Sequence, residues 1–318
     1  MKLQNVVAAS FVATLATAPG ALTFNPGYGG SAFYTHTNSD SVISYDWGSD
    51  GKLYYMTSAG FPDVAVWQQD GASINSIYSN SNNFVGASVV ALNSSIYFND
   101  SDTSNNQFIR RYDIGAGTVA TSALTNFALG TDGTNLLSTG SAAGGGTDIL
   151  SYANGDLLTA SINLGTVNGF SGPIAFDSSG NLFYAPGFGD ASIYRWSAAE
   201  VSTALAGGQQ LTATGNLWYD YSSDFAGAGA TSLLVDDVGE VYITVTDFVS
   251  PSNFVRFDSD ALGFDVVASS TGRLGEIRIR EGELFVSDGN QIFNVVPEPS
   301  AMLLSLISAS AVLLRRRR

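Results

Sequence analysis

The sequence predicts an all-β fold: a single β-propeller, six-bladed with seven as the alternative count, closed by an N-terminal strand. Three observations predict it. With 35 glycines, only 13% charged residues and recurrent β-branched and aromatic positions, the chain reads as strands joined by polar turns. Six segments then share one layout: "YDWGSDGKLYYMT", "ALNSSIYFND", "LGTDGTNLLST", "FDSSGNLFYAP", "VDDVGEVYITV" and "RIREGELFVSD" each read as strand, tight polar turn, strand. The first apolar residue after each turn is Leu53, Ile96, Leu136, Leu182, Val241 or Leu284, at spacings of 43, 40, 46, 59 and 43. A propeller blade takes about 40–50 residues. Finally, an aromatic residue in a third strand (Trp67, Tyr112, Tyr152, Trp196, Phe257, Phe293) follows that marker by 14, 16, 16, 14, 16 and 9 residues. Two markers in phase are the signature of a repeated unit.

Residues 1–22 open with Lys2, an apolar run from Val6 to about Ala16 and then small residues, the layout of a signal peptide cleaved between Ala18 and Leu22. The propeller is expected over 23–296. Its closing strand is "ALTFNPGYGGSAFYTHT", because the sixth repeat supplies only three strands before the chain turns apolar; residues 24–36 should pair with the strand of Phe293. The long spacing of 59 has a visible cause in "SAAEVSTALAGGQQ", Ser197 to Gln210. A serine cap, a glutamate three residues on and a Gly-Gly stop predict a short helix inserted in the fourth blade to cover an edge.

At the other end, Pro297-Glu298-Pro299 precedes an apolar stretch from Ala301 to Leu314 and then Arg315, Arg316, Arg317 and Arg318. Fourteen helical residues span only about 21 Å, less than the roughly 30 Å hydrocarbon core, so the stretch suits transient insertion, with the arginines retained in the cytoplasm. Residues 297–318 resemble the PEP-CTERM sorting signal of exported proteins in Gram-negative bacteria that make exopolysaccharide. The resemblance implies an exosortase as partner, cleaving near Pro297 to Pro299 and leaving the domain at the cell surface or in the extracellular matrix. The "FD..G.LY"-type blades in turn resemble, in a general way, NHL-type and gluconolactonase-like propellers.

Chemistry is sparse. The absence of cysteine excludes disulfides and thiolate sites. His36 is the single histidine, no Gly-x-Ser-x-Gly elbow accompanies it, and a packed or surface strand residue is expected there. A net charge of −15 becomes more negative once Lys2 and Arg315 to Arg318 are removed, which disfavours nucleic acid as a partner. Asp46, Asp50, Asp132, Asp177, Asp236 and Asp237 fall at the hairpin turns, where carboxylates bind neighbouring backbone N–H groups. In "NDSDTSNN", Asp100, Asp102 and Asn105 imitate a Ca²⁺ loop that lacks the central glycine and distal glutamate. "GSAAGGGTD", 140–148, has no lysine and no following helix, so it is a loop and not a phosphate cradle. Trp47, Trp67, Trp196 and Trp218 are expected mainly in blade cores. The function that follows is a non-enzymatic, exported propeller binding extracellular polysaccharide or a surface protein. The alternative is a secreted metal-dependent hydrolase or lactonase of gluconolactonase-like type, which would bring three or more acidic and amide side chains together at the central mouth.

Overall fold

The computed structural model describes residues 22–298, apart from Phe61, Asn105, Leu124, Thr125 and Phe248. The signal peptide up to residue 21, Pro299, the apolar C-terminal stretch and Arg315 to Arg318 lie outside the described residues. Among the described residues no helix is long and apolar enough to cross a membrane.

The chain enters as β1 (Thr23–Phe24) and β2 (Tyr28–Thr35) and then builds antiparallel four-stranded blades in succession. Blade 1 is β3 (Ser41–Trp47), β4 (Leu53–Gly60), β5 (Asp63–Asp70) and β6 (Ser73–Asn80). Blade 2 is β7 (Val89–Leu92), β8 (Ser95–Ser101), β9 (Gln107–Asp113) and β10 (Thr118–Ala123). Blade 3 is β11 (Ala128–Thr131), β12 (Leu136–Ser141), β13 (Thr147–Tyr152) and β14 (Ile162–Val167). In blade 4, β15 (Ile174–Phe176), β16 (Leu182–Tyr184) and β17 (Ser192–Trp196) are followed by helix α1 (Ala198–Leu205) before β18 (Leu217–Asp220). Blade 5 is β19 (Gly229–Val235), β20 (Val241–Thr246), β21 (Ser252–Phe257) and β22 (Phe264–Ser270). Blade 6 has β23 (Leu274–Arg280), β24 (Glu283–Asp288) and β25 (Gln291–Pro297), completed by β2.

The two sequence markers fall on the second and third strands of every blade. Four marker pairs face each other directly across the sheet: Ile96 with Tyr112, Leu136 with Tyr152, Leu182 with Trp196 and Val241 with Phe257. Cross-strand pairs of this kind hold neighbouring strands in register. All six turn motifs join first to second strands, so they stand at one end of the ring. There Asp132 accepts the backbone N–H of Thr134 and Asn135 and the Asn135 amide, and Asp177 repeats the arrangement with Ser179 and Asn181. Glu281 and Gly282, at φ 54° and 80°, make a two-residue turn with positive φ at both central residues.

Closure follows the expected route. β2 pairs antiparallel with β25 from Tyr28 opposite Pro297 to Thr35 opposite Gln291, with Ala32 facing Phe293. β1 adds a contact that the sequence did not indicate, pairing with β22 as a fifth strand on blade 5, so the N-terminal segment clasps two blades. The body also runs further than residue 296. Pro297 ends β25, and the Glu298 N–H donates to the Gly27 carbonyl. Proline is tolerated there because pairing with β24 has already ended at Val295, and no partner needs its missing N–H.

The apolar core is six layers, one per blade junction. Tyr54, Met56, Val64 and Val66 of blade 1 pack on Val89, Ile96 and Phe98 of blade 2, and the remaining junctions follow suit. Trp196 is fully buried and donates its ring N–H to the Thr212 carbonyl, while Trp67 donates to Thr57 Oγ1. Helix α1 has the expected capping box between Ser197 and Glu200, and buries Val201 and Ala204 against Leu164 of blade 3. Just beyond it, the Leu211 N–H donates to the Leu164 carbonyl, so the insertion covers the outer edge of β14.

Candidate functional site

Counting back from each cross-strand partner of the first marker identifies what faces the ring axis. Opposite Leu53, Ile96, Leu136, Leu182, Val241 and Leu284 stand Trp47, Ala91, Thr131, Phe176, Val235 and Ile279. One residue earlier in each strand come Asp46, Val90, Gly130, Ala175, Leu234 and Arg278, and all six line a central cavity of about 210 Å³. Two residues earlier again are Ser44, Ser88, Ala128, Pro173, Ser232 and Glu276, on the same face because side chains alternate along a strand. The axis is therefore lopsided: charged on blades 6 and 1, small or apolar on blades 2 to 5.

The charged side is one hydrogen-bonded cluster tying four blades together. Glu276 Oε1 accepts from Ser232 Oγ at 2.6 Å and Arg278 Nη1 at 2.6 Å, and Oε2 accepts from Ser44 Oγ at 2.9 Å. Those serines in turn accept backbone N–H groups, Ser44 from Val89 and Ser232 from Ile277. Asp46 accepts from the Ala91 N–H of blade 2 and from its neighbour Trp47, with Arg278 Nε at 3.8 Å. Arg278 Nη2 reaches the Val89 carbonyl. Burial pushes the Glu276 and Asp46 carboxyls above their ordinary values, opposed by the Arg278 guanidinium. Burial also works against the charge on Arg278, but the Glu276 and Asp46 carboxylates prevail and hold it above its usual value.

Asp46 is thus a correction to the sequence reading. It is an axis residue on β3 and not a turn residue, because the strand continues through Trp47 and alternation turns Asp46 inward. Glu276 and Arg278 were not singled out, since "EIRIRE" reads as an ordinary strand with charges at alternate positions. The signal that marks them is the blade alignment itself, which places Arg278 at the same repeat position as Asp46.

The remaining expected positions scatter. Asp100 is fully buried at the end of β8, its oxygens taken by Tyr78, Asn80 and Arg110. Asp102 binds its own turn through the N–H groups of Ser104 and Asn106 and the Asn106 amide, and Asn105 is outside the described residues. His36 follows β2 and is only 1% exposed. Its Nδ1 lies 3.0 Å from the Tyr55 hydroxyl, its ring packs on Tyr55 and Trp67, and burial lowers its pKa. The partner is a phenol, not a nucleophile–carboxylate pair. Of the 140–148 segment, Ala142 to Gly146 form a turn between β12 and β13, closed by the Ala142 N–H on the Gly146 carbonyl.

A central divalent ion of the gluconolactonase kind does not fit this donor set. Arg278 occupies the space between the two axis carboxylates, Val90, Gly130, Ala175 and Leu234 offer no side-chain oxygen, and among the described residues no three His, Cys, Asp or Glu side chains come together as ligands.

No family model and no curated protein matches the chain. Solved structures do. A carbohydrate-active enzyme of family AA12 from Trichoderma reesei superposes with a TM-score of 0.57 at 13% identity, covering 89% of this chain and 98% of that one. A putative oxidoreductase (glucose dehydrogenase) from Thermus thermophilus gives a TM-score of 0.57 at 12% identity, with 85% and 100% covered. A gluconolactonase from Xanthomonas campestris gives 0.53 at 12%, with 90% and 96% covered. At such identities the likeness is one of fold.

Proposed function

We propose that the protein is exported, sorted through its C-terminal signal by an exosortase, and displayed at the cell surface or in the extracellular matrix, where it binds polysaccharide or a surface protein without cleaving it. The observation that supports binding over catalysis is the state of the axis carboxylates. Every oxygen of Glu276 and Asp46 already receives a donor from the protein itself, and two of those donors are serines that are pinned by neighbouring backbone. A general acid or base needs an oxygen free to reach substrate. Here the carboxylates act as cross-blade fasteners, and ligand contact falls to the loops at the ends of the ring.

The test incubates the full chain with exopolysaccharide from the source organism and follows two readouts, retention on the polymer and appearance of reducing ends. Retention without new reducing ends is the expected result. Bond cleavage that stops on adding a chelator would replace this reading with the metal-dependent hydrolase.

A further inference from the structure

Asp288, the last residue of β24, is a buried carboxylate whose hydrogen bonding is incomplete. It is only 2% exposed. Oδ1 accepts from Ser270 Oγ at 2.7 Å, and the backbone N–H of Leu22 also favours the charged form, yet Oδ2 has no hydrogen bond among the described residues. Asp46 and Glu276 share the Arg278 guanidinium, whereas burial pushes the Asp288 carboxyl above its ordinary value and the donors set against that burial, Ser270 and the Leu22 N–H, are neutral. A buried acceptor without a partner carries the full cost of its lost hydration. The site is short of one positive charge.

Leu22 is held beside this carboxyl by strand register and by packing. The antiparallel pairing of β1 with β22 places Phe24 opposite Ala268 and Thr23 opposite Ser269, so one step further back Leu22 falls opposite Ser270, the residue whose hydroxyl serves Oδ1. Its side chain packs with Phe24 against the core between blades 5 and 6, which includes Phe254, Val286 and Val295. The Leu22 nitrogen therefore has a defined place next to Asp288. In the sequence, Leu22 also closes the window from Ala18 in which a signal peptidase would cut, and Ala21 before it is a small residue of the kind that precedes such a cut.

We propose that a signal peptidase cuts between Ala21 and Leu22, and that the new α-ammonium of Leu22 pairs with Asp288 and locks the N-terminal clasp onto blade 6. Hydrolysis adds one water across the Ala21–Leu22 amide: the water oxygen goes to Ala21, which leaves with the signal peptide as a carboxylate, and both water hydrogens end as protons on the Leu22 nitrogen. A neutral amide with one N–H becomes a cation with three, enough to serve Oδ2 as well as Oδ1. A free α-amino group, with a usual pKa of about 7.7–8.0, is mostly protonated at neutral pH. The uncut chain lacks this charge, so the ring tightens only once the signal peptide is gone. The inference rests on the export proposed above and specifies its N-terminal cut.

Two measurements test it. N-terminal sequencing of the exported protein should read Leu22-Thr23-Phe24; a chain beginning at any other residue overturns the cut, and a chain retained in the cell with Met1 in place overturns the export reading beneath it. The ion pair is tested without export. The chain from Leu22 to Arg318, released from a fusion by a protease that leaves no extra residue, carries only two amines, the Leu22 α-amine and Lys52. Labelling with acetic anhydride should be about 10- to 100-fold slower at Leu22 in the folded than in the denatured chain, the range for a hydrogen bond to a charged group, with little change at Lys52. Starting the chain at Ala21, or acetylating Leu22, should raise the unfolding equilibrium constant by a similar factor of about 10 to 100 in the wild type and have little effect in Asp288→Asn. Equal labelling of Leu22 in the folded and denatured chain overturns the pair, as does an acetylation effect that is the same with and without Asp288. The labelling ratio is read on the wild type, so it decides the matter even where Asp288→Asn fails to fold.

Discussion

Arg278 carries the charge balance of the axis. Among the described residues it is the cation paired with the buried Glu276 and Asp46 carboxylates, and its removal leaves them with neutral donors. Arg278→Met should therefore destabilise the folded state by about 3–5 kcal/mol, the range for breaking a buried ion pair from one side. Chemical denaturation reads this directly. The double variant Arg278→Met with Glu276→Gln should recover part of the loss, because the larger uncompensated charge is gone. His36 makes the second prediction. Burial lowers its pKa below 6.5, so the unfolded chain binds more protons than the folded one as the pH drops through about 6.5. Its contribution to stability is complete above that value and is lost as pH falls towards the folded pKa. The raised carboxyls of Glu276 and Asp46 act in the opposite sense, costing stability as pH rises from the ordinary carboxylate range through their folded values. Comparing wild type with His36→Gln isolates the histidine: the wild type should lose more stability between pH 7 and pH 5, and parallel profiles would rule the effect out.

The N-terminal clasp is the element on which the ring depends. β2 supplies the outer strand of blade 6, β1 the outermost strand of blade 5, and Tyr28 bonds Arg256 of blade 5 while pairing with Pro297 of blade 6. A chain starting at Ser41 should expose the edge of β25 and associate or unfold early, since an unpaired strand edge invites pairing with another chain. Light scattering should show oligomers, and a synthetic peptide covering residues 22–36 should restore the monomer; a monomeric truncated chain of unchanged stability would contradict the clasp. Helix α1 contributes on a smaller scale. Ser197→Ala removes the cap oxygen bonded to the Glu200 N–H and should cost about 1 kcal/mol.

For the molecule as a whole, the processing prediction concerns both termini. Mass spectrometry of the exported protein should find a chain that begins between Ala18 and Leu22 and ends near Pro297 to Pro299; an exported species still carrying Arg315 to Arg318 would refute it. Cleavage at that end would fall beside residues the ring uses, since Pro297 pairs with Tyr28 and the Glu298 N–H donates to the Gly27 carbonyl.

Much of the ring was legible in the sequence because blade geometry is local. A hairpin turn, the apolar residue after it and an aromatic on the third strand lie within about 20 residues, and their recurrence specified the blade count, the phase and the missing strand. The helix was legible for the same reason, since its cap and stop are adjacent residues. The axis was not. Asp46 and Glu276 are 230 residues apart, and Ser44 meets Glu276 only because the sixth blade closes on the first. Inward or outward orientation is set by strand alternation, which a turn-based reading does not track at its ends. Sequence alone determined the repeating unit and the expected fate of the two ends; the tertiary structure decided which residues the ring turns towards its axis, because those positions are defined only once separate blades meet.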